Sequence, residues 1–122
     1  MRTERDVWAY SADLRAGTDL AGYKVEALDG SIGKIDDATN DVGASYIVVD
    51  TGLWIFGIKV MLPAGVINDI DYDTETVFVN RDKDTIKNAP EFDEDYRSDD
   101  YRTKIGGYYG PGGTGYREPR SR

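Results

Sequence analysis

Apolar positions between residues 20 and 80 recur in short bursts of four to six, and no stretch there holds a helical period. Tyr23-Lys-Val-Glu-Ala-Leu28 alternates, as a half-buried strand does. Asp29-Gly30 follows and predicts a hairpin, because a type I′ turn needs positive φ at both central residues. Ile32 and Ile35 open the return strand with Gly33 between them. A glycine inside a strand marks a bulge or the close approach of another backbone. Asn40-Asp-Val-Gly43 is the next turn region, and Ser45-Tyr-Ile-Val-Val-Asp50 reads as a strand buried on both faces.

Thr51-Gly52 breaks that run, Lys59-Val-Met-Leu62 resumes it, and Pro63 ends it. A loosely alternating segment from Val66 to Tyr72, a turn at Asp73-Thr-Glu75 and a last strand at Thr76-Val-Phe-Val79 complete the series. Six short strands at roughly ten-residue spacing predict an all-β fold, a small barrel or sandwich. Two short helices follow. Asp84 is the expected cap of one turn over Thr85–Asn88, ended by Pro90. Ser98 is the expected cap of the second, with Asp99 and Asp100 in its first turn, Arg102 and Lys104 in its last, and Gly106 as terminator. Tyr101, Ile105 and Tyr108 form its docking face.

The flanks differ in composition. Residues 1–18 have few aliphatics and are read as an N-terminal extension, from which Trp8 and Tyr10 are expected to dock on the fold. Residues 106–122 hold six of the fourteen glycines and two prolines. The last dozen, 111–122, are expected to be disordered, since such a stretch buries too little apolar surface to offset its ordering entropy. Met1-Arg-Thr-Glu-Arg-Asp6 has mixed charge with no apolar run after it, so no signal peptide is expected. The longest apolar stretch, Leu53 to Ile67, is interrupted by Lys59, Pro63 and Gly65 and falls short of the roughly 20 residues of a membrane helix. A cytoplasmic protein without membrane insertion is the expectation.

Charge and residue content narrow the chemistry. The chain has 122 residues, net charge −8, no cysteine and no histidine. Ser-His-Asp and Cys-His centres, Cys/His zinc sites and disulfides are therefore excluded. Residues 23–90 carry 12 acidic and 6 basic side chains, so the acidity lies in the expected strand region. That balance repels phosphate backbones and anionic membranes, and nucleic acid is not an expected partner. Asp69, Asp71 and Asp73 alternate as weak candidates for a divalent metal. They resemble the opening of an EF-hand loop, but position six is Thr74 where glycine is needed and position twelve is Asn80 where glutamate is needed. The expected reading is a solvated strand face with no metal and no cofactor. Asp36-Asp37 near Asn40-Asp41 is a candidate acid–base pair with no sign of burial, and no catalytic residue is assigned.

Leu53-Trp54-Ile55-Phe56-Gly57-Ile58 stands out as a connection, because five of its six residues are large and apolar. Connections usually run over the surface and are polar. The segment is either a core plug or an interface, and Leu53, Trp54, Ile55, Phe56 and Ile58 are the candidate interface residues. A barrel this small buries only about 60% of its unfolded surface, and docked terminal segments or association with a second copy would relieve that.

The central stretch resembles the PRC-barrel family. The residues carrying the resemblance are Gly22-x-x-Val25-x-x-x-Asp29-Gly30-x-x-Gly33-Lys34-Ile35-x-Asp37, Tyr46-Ile-Val-Val49, Phe56-Gly57, Val60-Met-Leu-Pro63, Val77-Phe-Val79 and Arg81-Asp-Lys-Asp-Thr-Ile86. Ile86-Lys-Asn-Ala-Pro-Glu-Phe92 is similar to the ending of stand-alone bacterial members. The resemblance implies a six-stranded antiparallel PRC-type barrel over residues 19–92, followed by a short helical extension over 93–110 and the tail. It implies an interaction module, often dimeric, with no catalytic residues to carry over. The function expected is thus a non-enzymatic cytoplasmic adaptor that self-associates as a homodimer and binds a protein partner. Two alternatives stand beside it: a ribosome- or RNA-processing-linked factor, as in the family's ribosome maturation relative, and a carboxylate-based metal-binding protein.

Overall fold

The computed structural model describes Trp8 and residues 19–39, 45–52, 58–96 and 98–117. Six strands carry the fold: β1 (Lys24–Ala27), β2 (Gly30–Thr39), β3 (Tyr46–Asp50), β4 (Lys59–Pro63), β5 (Ile67–Asp71) and β6 (Thr76–Val79). A one-turn 3-10 helix, Ala64–Val66, joins β4 to β5, and helices α1 (Lys83–Lys87) and α2 (Asp99–Tyr109) follow. The strands form one sheet in the order β4-β3-β2-β1-β6-β5.

The β-rich fold of six short strands agrees with the sequence pattern, but the expected closed antiparallel barrel is corrected on two points. The sheet is open, with β4 and β5 at its edges, and it is mixed, because β1 pairs with β6 in parallel. The remaining ladders, β1–β2, β2–β3, β3–β4 and β5–β6, are antiparallel. The cause lies in one connection. If every junction reversed direction, β6 would run against β1. The Ala64–Val66 turn does not reverse the chain in the sense of the sheet, so β6 arrives parallel to β1. The same turn forces the sheet to coil. The edges of a flat six-stranded sheet lie about 24 Å apart. The four residue steps from Pro63 to Ile67 span at most about 14 Å.

Two local devices shape the sheet. β1 meets β2 with a bulge, since Val25 opposes Gly33 while Glu26 opposes Ser31. Gly33 has φ +145°, and a Cβ there would fall 2.0 Å from the Asp50 carbonyl oxygen. The strand-interior glycine thus marks both a bulge and a close approach, as anticipated. The hairpin between β1 and β2 differs from the type I′ expectation. Ala27 pairs with Gly30, so Leu28 and Asp29 are the central residues, and positive φ falls on Gly30 alone.

The core is one cluster enclosed by the sheet and α2. Val25, Ile47, Val49, Leu62, Val66 and Val77 are fully buried within it. Helix α2 contributes Tyr101, Ile105 and Tyr109. Ser98 caps α2 by accepting from the Tyr101 amide, as expected. The helix continues through Gly106 and Gly107 to Tyr109, however, so its buried face is Tyr101, Ile105 and Tyr109 rather than a face ending at Tyr108. Helix α1 is capped by Asp82, whose carboxylate accepts from the Thr85 amide at 2.8 Å, and the expected cap Asp84 lies inside the first turn. Trp8 packs on the core from the N-terminal side. Its carbonyl accepts from the Ser45 amide, and its indole lies against Gly106. Tyr10 and the turn at 40–43 lie outside the described residues.

Arg81, which the sequence singled out only within the run that carries the family resemblance, fastens the C-terminal segment. It is 4% exposed. Its Nε donates to Gly115 O at 2.7 Å, Nη1 to Asn80 O at 2.7 Å and Nη2 to Tyr109 O at 3.2 Å. Burial depresses its pKa, yet three carbonyl dipoles and the Tyr109 ring, 5.8 Å away, solvate the charge. Residues 111–117, part of the stretch expected to be disordered, form turns here, and Gly115 is buried. Residues 118–122 lie outside the described residues.

Candidate functional site

The carboxylates singled out in the sequence organise turns. Asp69 Oδ1 accepts from the Ile70 amide at 2.9 Å. Asp71 Oδ1 accepts from the amides of Asp73 and Thr74, and the Thr74 bond above all holds the Asp71 carboxyl below its ordinary pKa. Asp73 is exposed. Among the described residues, no group of three or more His, Cys, Asp or Glu side chains converges as a metal site would require. The Asp36-Asp37 pair is divided between partners. Asp36 Oδ2 accepts from Lys59 Nζ at 2.6 Å, a bond that raises the lysine pKa. Asp37 Oδ2 accepts from the Tyr96 hydroxyl at 2.9 Å, and its Oδ1 from the Ala38 amide. Asp41 lies outside the described residues.

The exposed large hydrophobics among the described residues are Leu28 at 46%, Ile58 at 41% and Phe78 at 38%. All three line grooves. The first groove, about 330 Å³, runs between edge strand β4 and the chain after α1. Ile58, Val60, Ala89, Pro90 and Phe92 supply its apolar surface over the buried Met61 and Ile86, and Lys59, Lys87 and Glu91 are its charged members. Of the candidate interface residues, Ile58 lies on this groove, while Leu53, Trp54, Ile55 and Phe56 lie outside the described residues. Below the groove, Phe92 stacks near Tyr96 and Tyr101, and Tyr96 meets Tyr46 edge to face at 6.0 Å, which anchors the segment after α1 to β3 and α2.

The second groove, also about 330 Å³, lies on the outer face of β1, β6 and β5 and contains Leu28 and Phe78. Sequence pattern alone misses it. Phe78 reads as one more apolar residue of the last strand, and Glu26 and Asp69 read as separate solvated acids. Only the parallel β1–β6 register unites them.

No family model matches this chain, and no curated protein matches it. Among the described residues, no helix is long and apolar enough to cross a membrane.

Proposed function

We propose that this chain is a non-enzymatic adaptor of the PRC-barrel kind, acting in the cytoplasm, that self-associates through the β4 groove and binds a protein partner. The observation carrying the reading is the pairing of an edge strand with an apolar groove. β4 has a strand neighbour on one side only, and its first residue Lys59 and the preceding Ile58 are exposed beside Met61, Ile86 and Phe92. Edge strands left open in this way invite pairing with another chain. A second copy brought edge to edge would cover Ile58. The absence of histidine and cysteine supports an adaptor over an enzyme, and of the carboxylates that drew notice in the sequence Asp69 and Asp71 bond backbone amides while Asp36 and Asp37 bond Lys59 and Tyr96.

Sedimentation velocity of the full chain over a wide concentration range tests the reading. A dimer is expected, and Ile58→Asp and Val60→Lys are expected to shift it to monomer with the circular dichroism spectrum unchanged. A chain that stays monomeric at every concentration, or a dimer indifferent to both substitutions, would remove β4 from the account.

A further inference from the structure

The outer face of the sheet carries a row of three side chains with one chemical meaning. Glu26 on β1 stands directly opposite Phe78 across the parallel ladder. Asp69 on β5 stands directly opposite Phe78 on its other side, displaced into that position by the bulge that leaves Asn68 unpaired. Residues opposed in this way on one face sit about 5 Å apart at Cβ. The exposed ring of Phe78 is therefore flanked by a carboxylate on each side, and Leu28 extends the apolar floor. Both charged residues of the groove are acidic, and no lysine or arginine lines it. Neither Glu26 nor Asp69 forms an ion pair among the described residues. Asp69 uses Oδ1 on its own strand, at the Ile70 amide.

This arrangement is electrostatically incomplete. The face of an aromatic ring is negative, so two carboxylates beside it reinforce one field, which a cation above the ring relieves. A metal ion does not fit. The carboxylates stand two strand spacings apart, about 10 Å at the backbone. Among the described residues no third carboxylate converges on the pair, and two carboxylates with an aromatic ring between them fall short of the oxygen set that a divalent ion takes. A guanidinium or ammonium on a long stem fits, because it can sit over the ring within hydrogen-bond reach of one of the flanking carboxylates. The strand geometry favours an extended carrier for that cation, since β5 is the other edge of the sheet. The net charge of −8 draws such a segment in.

We propose that this groove binds an extended basic segment of a partner protein, with one arginine or lysine over Phe78 between Glu26 and Asp69 and a neighbouring apolar side chain on Leu28. The proposal builds on the reading of the chain as an interaction module, but it uses a surface other than β4 and does not require a dimer.

The test is a titration of the full chain with a decapeptide of alternating arginine and valine, followed by heteronuclear NMR, with an alternating serine and valine peptide as the neutral control. The arginine peptide is expected to shift the resonances of Glu26, Leu28, Phe78 and Asp69, and to lose affinity as salt is raised. The double substitution Glu26→Gln/Asp69→Asn is expected to weaken binding about tenfold. Phe78→Leu, which keeps the apolar surface and removes the ring face, is expected to weaken it about threefold. Thermal midpoints close to that of the parent verify that these solvent-facing changes leave the fold intact. Ile58→Asp is expected to bind the peptide normally, which separates failure of this groove from failure of the β4 interface. Equal binding of both peptides, shifts mapping elsewhere, or indifference to the three groove substitutions would overturn the proposal. So would concentration-dependent shifts at these residues without peptide, which would assign the groove to a second copy.

Discussion

Gly33 crosses so close to the end of β3 that a single methyl group has no room. The added carbon would lie 2.0 Å from Asp50 O and 2.9 Å from Thr51 Cα, both backbone atoms that no rotamer change can move. Its φ of +145° is also strained for any residue with a Cβ. Gly33→Ala combines the two penalties, and a loss of about 3 kcal/mol or more is expected by urea denaturation. Gly52→Ala is the control. It also has positive φ, at +58°, but nothing lies within 4 Å of the added carbon, so a loss of about 1 kcal/mol is expected. Near-equal losses would show that conformation alone, and not the crossing of β2 with β3, makes glycine necessary at 33.

At the scale of an element, α2 is the most informative. It buries two tyrosines, Tyr101 and Tyr109, whose hydroxyls have no hydrogen-bond partner among the described residues. Burial is the main reason that both phenols are pushed above their ordinary pKa of 10, with neighbouring Asp93 and Tyr108 adding to the shift. The sign of the effect on stability follows directly. Below about pH 10 both phenols are protonated folded and unfolded, so nothing is lost. Above it the unfolded chain releases protons that the folded chain retains, and stability falls by about 1.4 kcal/mol per pH unit for each tyrosine. Together they are expected to lower stability steadily above pH 10 and bring on cooperative alkaline unfolding. Circular dichroism and phenolate absorbance should then change together. A Tyr101→Phe/Tyr109→Phe chain is expected to hold its structure to higher pH, and unchanged alkaline behaviour would refute the assignment.

At the scale of the whole molecule, the open sheet and the C-terminal segment complete each other. The sheet leaves its core open, and Tyr101, Ile105 and Tyr109 fill it while Arg81 ties down the chain around Tyr109 and Gly115. Burying three such side chains contributes about 5–8 kcal/mol. That is comparable to the entire stability of a domain of this size, about 5–15 kcal/mol. Truncation after Arg97 is therefore expected to give a chain without a cooperative thermal transition in calorimetry. A truncated chain that melts cooperatively near the parent temperature would show that residues 19–92 suffice alone.

Local order was legible in the sequence because strands and caps depend on neighbours along the chain. The alternation from Tyr23, the β-branched run at 46–49 and the Ser98-Asp-Asp start of α2 appear where the pattern placed them. The β4 groove was half legible, since Ile58 belongs to a segment whose apolar content breaks the usual rule for connections. What tertiary structure decided is what depends on direction and register. A polar turn and a buried clasp are indistinguishable in Asn80-Arg81-Asp82 until Tyr109 and Gly115 return to meet it. The parallel alignment of β1 with β6 follows from how Ala64–Val66 carries the chain between the two edges of the sheet. No hydrophobic period records that turn. Yet that turn, with the bulge at Asn68, sets Phe78 between Glu26 and Asp69, residues 43 positions apart in sequence and two strands apart in space.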